Sequence, residues 1–119
     1  MDKILIRDLL VRGIIGIHPS ERVQKQDILI NLVLYGDTRP AGRSDNIADA
    51  MNYQAISEAV IGHVENNAPL LVERLAQEIA DLLLTMDPKI KKVIVRIEKP
   101  NALAYARTVG VEIERTREH

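Results

Sequence analysis

Glu21, Tyr53, Glu73 and Lys99 are the side chains of this sequence whose types and positions best suit acid–base or recognition chemistry. Lys99 closes the apolar run VIVRIEK and precedes Pro100. It is either a solvated lysine at a strand end or an amine held beside a pocket as proton donor and acceptor. Glu73, in LLVER, opens an amphipathic stretch. A carboxylate there complements a helix N-terminus, or it accepts adjacent N–H donors from a ligand. Tyr53, in MNYQ, opens another helical stretch, where a tyrosine packs with its hydroxyl at the surface. Glu21, in HPSER, reads alone as an ordinary loop charge.

Other chemistries lack their signatures. No GxSxG surrounds Ser20, Ser44 or Ser57, and neither GxxxxGK[ST] nor GxGxxG occurs. Gly13-Ile14-Ile15-Gly16 reads as twisted strand, not as a phosphate loop. Cys is absent, which removes thiolate nucleophiles, disulfides and cysteine-based metal sites. His18, His63 and His119 are scattered without ligand spacing, so no metal site is expected, and His63 reads as part of a helix face. Sixteen basic against seventeen acidic residues leave a net charge of −1, without the basic excess of a nucleic-acid binder. Three tyrosines and no Phe or Trp make a poor base-stacking platform. No apolar stretch is long enough to cross a bilayer, and the opening Met1-Asp2-Lys3 lacks a leader pattern, so a cytoplasmic, soluble protein is expected.

The elements that must hold these side chains follow from periodicity. A chain of 119 residues fits a single domain over 1–119. Lys3 to Ile17 is rich in β-branched residues and reads as a strand, with Gly13 and Gly16 as bulges or points of close approach. His18 to Glu21 reads as a turn. Asp27 to Tyr35 is a second strand, with Ile28, Ile30, Leu32 and Leu34 on one face and Leu29, Asn31, Val33 and Tyr35 on the other. Gly36 to Asn46 reads as loop. Tyr53 to Val64 has helical spacing behind an Asn52 cap. Leu71 to Met86 is a second amphipathic helix, with Pro69 near its first position and Asp87-Pro88 as its stop. Ile90–Lys99 and Thr108–Glu114 alternate again as strands, and the charged last residues are expected to fray.

The order ββααββ implies an α+β fold, an antiparallel sheet with two helices on one face. The second strand is apolar on both faces, and two helices can cover only one. A further copy of the chain is the expected cover for the remaining face or edges.

With the segments GIHPSERVQKQ, SDNIADAMNYQAI, LLVERLAQEIADLLL, VRIEKPNA and TVGVEIER in view, the chain resembles the dihydroneopterin aldolase family from about Ile4 to Arg115. The resemblance implies the tunnelling fold, with a four-stranded sheet and a ring-shaped homo-oligomer, a tetrameric ring or an octamer, whose sites lie between subunits. It implies a small-molecule pterin substrate, no cofactor and no nucleic-acid or membrane partner. It also assigns roles. Glu73, with the backbone around Val72, would accept from the pterin's 2-amino group and N3–H. Lys99 would be the general acid and base. Tyr53, reaching in from an adjacent subunit, would deliver protons. Glu21 would contact the substrate's side-chain hydroxyls and place Lys99 and a water.

The implied reaction is a retro-aldol cleavage to 6-hydroxymethyl-7,8-dihydropterin and glycolaldehyde. Most aldolases hold the developing carbanion with a Schiff base or a divalent metal. In a 7,8-dihydropterin the N5=C6 imine is itself the electron sink, so neither is needed. The sister activity, 7,8-dihydroneopterin triphosphate 2′-epimerase, shares the cleavage and re-adds the glycolaldehyde. QDILIN, NYQ, HVENN and ALAYA resemble that branch, whereas Lys99-Pro100 and Thr108-Val109-Gly110-Val111 resemble the aldolases. Asn101 stands where aldolases usually have Gly. A triphosphate would call for basic groups at the site mouth, for which Arg22, Lys25 and Arg107 are the candidates. A non-catalytic pterin- or purine-binding member of the same fold is the third reading; it would keep Glu73 without needing Lys99 and Tyr53.

Overall fold

The computed structural model describes residues 1–117; the charged end beyond them, His119 included, lies outside the described residues. Strands β1 (Asp2–Gly13), β2 (Gln26–Gly36), β3 (Lys92–Pro100) and β4 (Thr108–Thr116) form one antiparallel sheet in the order β1-β2-β3-β4. Short helices α1 (Pro19–Val23) and α2 (Arg39–Ser44) and a 3₁₀ turn (Ile47–Asp49) decorate the connections. Helices α3 (Tyr53–Glu65) and α4 (Val72–Met86) supply the second layer. Among the described residues, no helix is long and apolar enough to cross a membrane.

The core forms where the period-2 faces of the strands meet the period-3.6 faces of the helices. Ile28, Ile30, Leu32 and Leu34 of β2 and Val93, Val95 and Ile97 of β3 are buried against Ile56 and Val60 of α3 and Leu75, Ile79 and Leu83 of α4. The opposite sheet face keeps Leu5 and Leu10 exposed. Asn52 caps α3 as the sequence predicts, its Oδ1 accepting from the Ala55 N–H at 3.1 Å. His63 of α3 meets Glu78 of α4 at 3.4 Å, tying the two helices together on their outer side.

Several boundaries differ from the expectation. β1 ends at Gly13, because Ile15 turns into the core and its carbonyl is taken by the Gln26 side chain at 2.6 Å. The break in strand pairing falls between Ile6 and Leu9 rather than at a glycine. There Asp8 adopts a left-handed φ of 57°, and its N–H donates to Asn31 Oδ1 at 2.9 Å. Gly13 is instead a close approach: an added Cβ would lie 2.8 Å from Val64 Cγ1 of α3. The HPSE segment is helical from Pro19, and the stretch read as loop after Gly36 contains α2. Pro69 precedes the α4 cap Leu71 and lies outside that helix.

Candidate active site

Lys99 owes its position to strand parity. Val93, Val95 and Ile97 face the helices, so Lys99, two residues further along β3, turns the same way and is only 9% exposed. The solvated strand-end reading is therefore excluded. Its ammonium donates to Glu21 Oε2 at 2.7 Å, a contact between residues 78 positions apart. An amine buried this far needs such a partner, since desolvation otherwise disfavours its charge.

Glu21 is delivered by α1. Pro19, with φ pre-set for a helix, begins the turn that aims the Glu21 carboxylate back toward β3. Glu21 Oε1 accepts from the His18 N–H at 3.3 Å, and Oε2 also accepts from Gln26 Nε2 at 3.4 Å. Gly16 leaves the room: its φ is +126°, and an added Cβ would overlap the Glu21 carboxylate. The Lys99 hydrogen bond, opposed by desolvation and aided by His18 and Gln26, holds the Glu21 carboxyl down at about 2.

This depression fixes a pH signature. A carboxyl with a lowered folded-state pKa contributes stability above its unfolded value, near 4.5, and loses it as pH falls through about 2. The melting-temperature gap between wild type and Glu21→Gln is therefore expected to stay constant above about pH 5 and to shrink on acidification toward pH 2. A gap that widens with acid contradicts the pairing.

Glu73 is exposed in the first turn of α4, and Val72, the first helical residue, is half-buried against the core. Leu71 occupies the N-cap position, and its side chain cannot cap the helix. The first intrahelical bonds run from the Arg74 and Leu75 N–H groups to Leu71 O, so the Val72 and Glu73 N–H groups have no intrahelical acceptor. The result is a carboxylate beside free donors, suited to a flat heterocycle with donors and acceptors along one edge. The loop leading into this terminus is joined to the Glu21 region, because the Gly16 N–H donates to Pro69 O at 3.4 Å.

Tyr53 is not part of this cluster within one protomer. It is 63% exposed at the start of α3, beside Leu5, Ile6, Gln54, Ser57 and Glu58. The Gly13 end of β1 lies instead against Val64, near the other end of that helix. At 1.5 Å rise per residue, roughly 16 Å of helix separates the two positions.

The proposed phosphate contacts change. Arg22 points inward and donates to three backbone carbonyls, so it does not face a site mouth; Lys25 and Arg107 are exposed. The sequence reading missed Gln26, whose position at the start of a strand gives no hint that its amide bridges Ile15 O and Glu21. Asn101, directly after the β3 end, has φ +66°, a left-handed conformation that Gly adopts freely and Asn tolerates best among other residues. The substitution thus keeps the turn. Among the described residues, no group of three or more His, Asp or Glu side chains is placed to hold a metal ion.

Comparisons with known proteins bear on this geometry. The FolB dihydroneopterin aldolase family model matches residues 4–114. The chain is 38% identical over 117 residues to the dihydroneopterin aldolase of Escherichia coli, covering 97% of this chain and 93% of the relative. It is 39% identical over 113 residues to the dihydroneopterin triphosphate 2′-epimerase of Pseudomonas aeruginosa, covering 95% of this chain and 91% of that one. Overall identity therefore does not separate the two activities. The chain also matches a folic acid synthesis protein of Dictyostelium discoideum, of whose length it spans only 18%. Among solved structures, the E. coli dihydroneopterin aldolase in complex with neopterin superposes with a TM-score of 0.93 at 39% identity, covering 97% of this chain and 99% of that one.

Proposed function

The chain belongs to the dihydroneopterin aldolase family, and from that membership we propose that it cleaves 7,8-dihydroneopterin with Lys99 and Glu21 as its proton-transfer pair. The single observation carrying this reading is the 2.7 Å Lys99–Glu21 contact on the helix-covered face of the sheet. That pair lies at the same end of the sheet as the uncapped α4 terminus that would hold the ring.

In this reading the Glu73 carboxylate accepts from the pterin 2-amino group and N3–H, and the free N–H groups at Val72 and Glu73 face ring acceptors. The Lys99 ammonium first passes a proton to solvent through the water held beside Glu21; its neutral amine then takes the proton of the 2′-hydroxyl as the C1′–C2′ bond breaks and its electron pair passes into C6=N5. Glycolaldehyde leaves, and C1′ is reprotonated to give 6-hydroxymethyl-7,8-dihydropterin. Glu21 holds Lys99 and a water and contacts the side-chain hydroxyls. Tyr53 relays protons from a neighbouring copy in a ring-shaped homo-oligomer, and the reaction runs in the cytoplasm. Each positioned proton transfer is worth about 10²–10⁴-fold. Re-addition of glycolaldehyde to the same intermediate would give the epimer, so the 2′-epimerase is the second reading, favoured by the 39% identical P. aeruginosa relative.

The test is incubation of the protein with 7,8-dihydroneopterin and EDTA, in parallel with borohydride. Turnover to hydroxymethyl-dihydropterin and glycolaldehyde, without a reduced covalent adduct, is expected. A predominance of monapterin moves the assignment to the epimerase, and no turnover of 7,8-dihydroneopterin to either product leaves the binding-only reading. Strict metal dependence or a trapped adduct at Lys99 overturns the mechanism.

A further inference from the structure

Arg22 is a half-buried cation that makes no ion pair among the described residues. Its guanidinium is satisfied by main-chain carbonyls. Nη1 donates to Gly16 O and to Pro69 O, both at 3.0 Å, and Nη2 donates to Ala68 O at 2.7 Å. Gly16 is thereby pinned at one point to Ala68 and Pro69, which lie 46 and 47 positions beyond Arg22.

Each pinned segment leads into one half of the proposed site. Glu21 immediately precedes Arg22 and holds Lys99. Pro69 leads into α4, whose first turn carries Val72 and Glu73. A planar fork of N–H donors can serve several carbonyls at fixed angles, whereas a lysine ammonium is a point charge on a flexible stem. Without Arg22, the Gly16 and Ala68 carbonyls lose these donors, and Pro69 O keeps only the longer bond from the Gly16 N–H.

We propose that Arg22 is a positioning residue that sets the register between the ring-holding terminus of α4 and the Lys99–Glu21 pair. The inference rests on the aldolase reading, because it concerns how one substrate is held at two ends. Arg22 touches neither substrate nor reacting atoms. It acts on the placement of the 2′-hydroxyl relative to the pair, and a misplacement of about 1 Å costs up to about 10²-fold in rate.

The experiment compares wild type, Arg22→Lys and Arg22→Ala. Wild-type turnover of 7,8-dihydroneopterin tests the aldolase reading by itself. For Arg22→Ala, kcat is expected to fall about tenfold or more, with a smaller loss in Arg22→Lys. Neopterin binding weakens severalfold. Amide exchange accelerates in residues 14–22 and 68–75 together, a readout that needs no turnover. Millimolar guanidinium restores part of the Arg22→Ala rate, and ammonium does not. A folded variant with wild-type kcat and unchanged exchange in 68–75 overturns the proposal, as does faster exchange confined to 14–22. If Arg22→Ala does not fold, Arg22→Lys decides the matter by the same measurements.

Discussion

Lys99→Ala is expected to lower kcat on 7,8-dihydroneopterin about a thousandfold, within the range for a lost general acid–base, while the Kd for neopterin changes by less than about threefold. Lys99 is the amine that β3 parity places on the core face, and among the described residues it is the only charged donor to Glu21. Removing it takes away the proposed proton carrier and releases the Glu21 carboxyl from the bond that holds its pKa down. The groups proposed to hold the ring lie on a different element: Glu73 and the N–H groups of the first turn of α4 do not depend on the Lys99 side chain. Glu73→Ala should therefore give the opposite split, with neopterin binding weakened by about tenfold or more and a smaller loss in kcat at saturating substrate. Stopped-flow turnover and fluorescence titration of the two variants separate these effects. Loss of binding in Lys99→Ala with normal binding in Glu73→Ala would invert the assigned roles.

The parts of the fold that sequence periodicity captured are those decided by local pattern. Alternation in VIVRIEK placed Val93, Val95 and Ile97 on one face, and extending the same count by two residues puts Lys99 there as well. The position of the amine is thus readable from parity, although its place at a strand end, taken alone, favours the solvated reading. Asn52 and the spacing of Ile56, Val60 and Val64 defined α3 because cap and stripe agree. What was not readable depends on partners distant in the chain. The Ile14–Ile17 stretch has strand-like composition, yet Gln26 and Gly16 bend it away from β1. A five-residue helix such as α1 is too short to show a period. The turn at Asp8 is held by Asn31, 23 positions away. Arg22 carries the same misdirection in electrostatic form: a surface-type charge in the sequence becomes a clamp on three carbonyls once α4 is packed.

Tyr53→Phe and Lys99→Ala are each expected to be nearly inactive alone, yet to recover activity when refolded together from denaturant in equal amounts. The reason lies in α3. Tyr53 opens the helix, Val64 near its other end packs against Gly13, and the intervening turns are rigid at 1.5 Å per residue. A side-chain rotation spans a few ångströms and cannot carry the phenol along roughly 16 Å of helix to the Lys99 end. If Tyr53 moves a proton at the bond that Lys99 serves, the two must come from different copies of the chain. In randomly mixed rings about one site in four then receives an intact Tyr53 from one copy and an intact Lys99 from the other, a consequence of each interface repeating around a closed assembly. Recovery toward that fraction, tracked by turnover against the mixing ratio, would demonstrate the shared site. Absence of recovery in rings shown by labelled subunits to be mixed would mean that Tyr53 acts elsewhere, and that the proton delivered to C1′ comes from Lys99 or from the water beside Glu21.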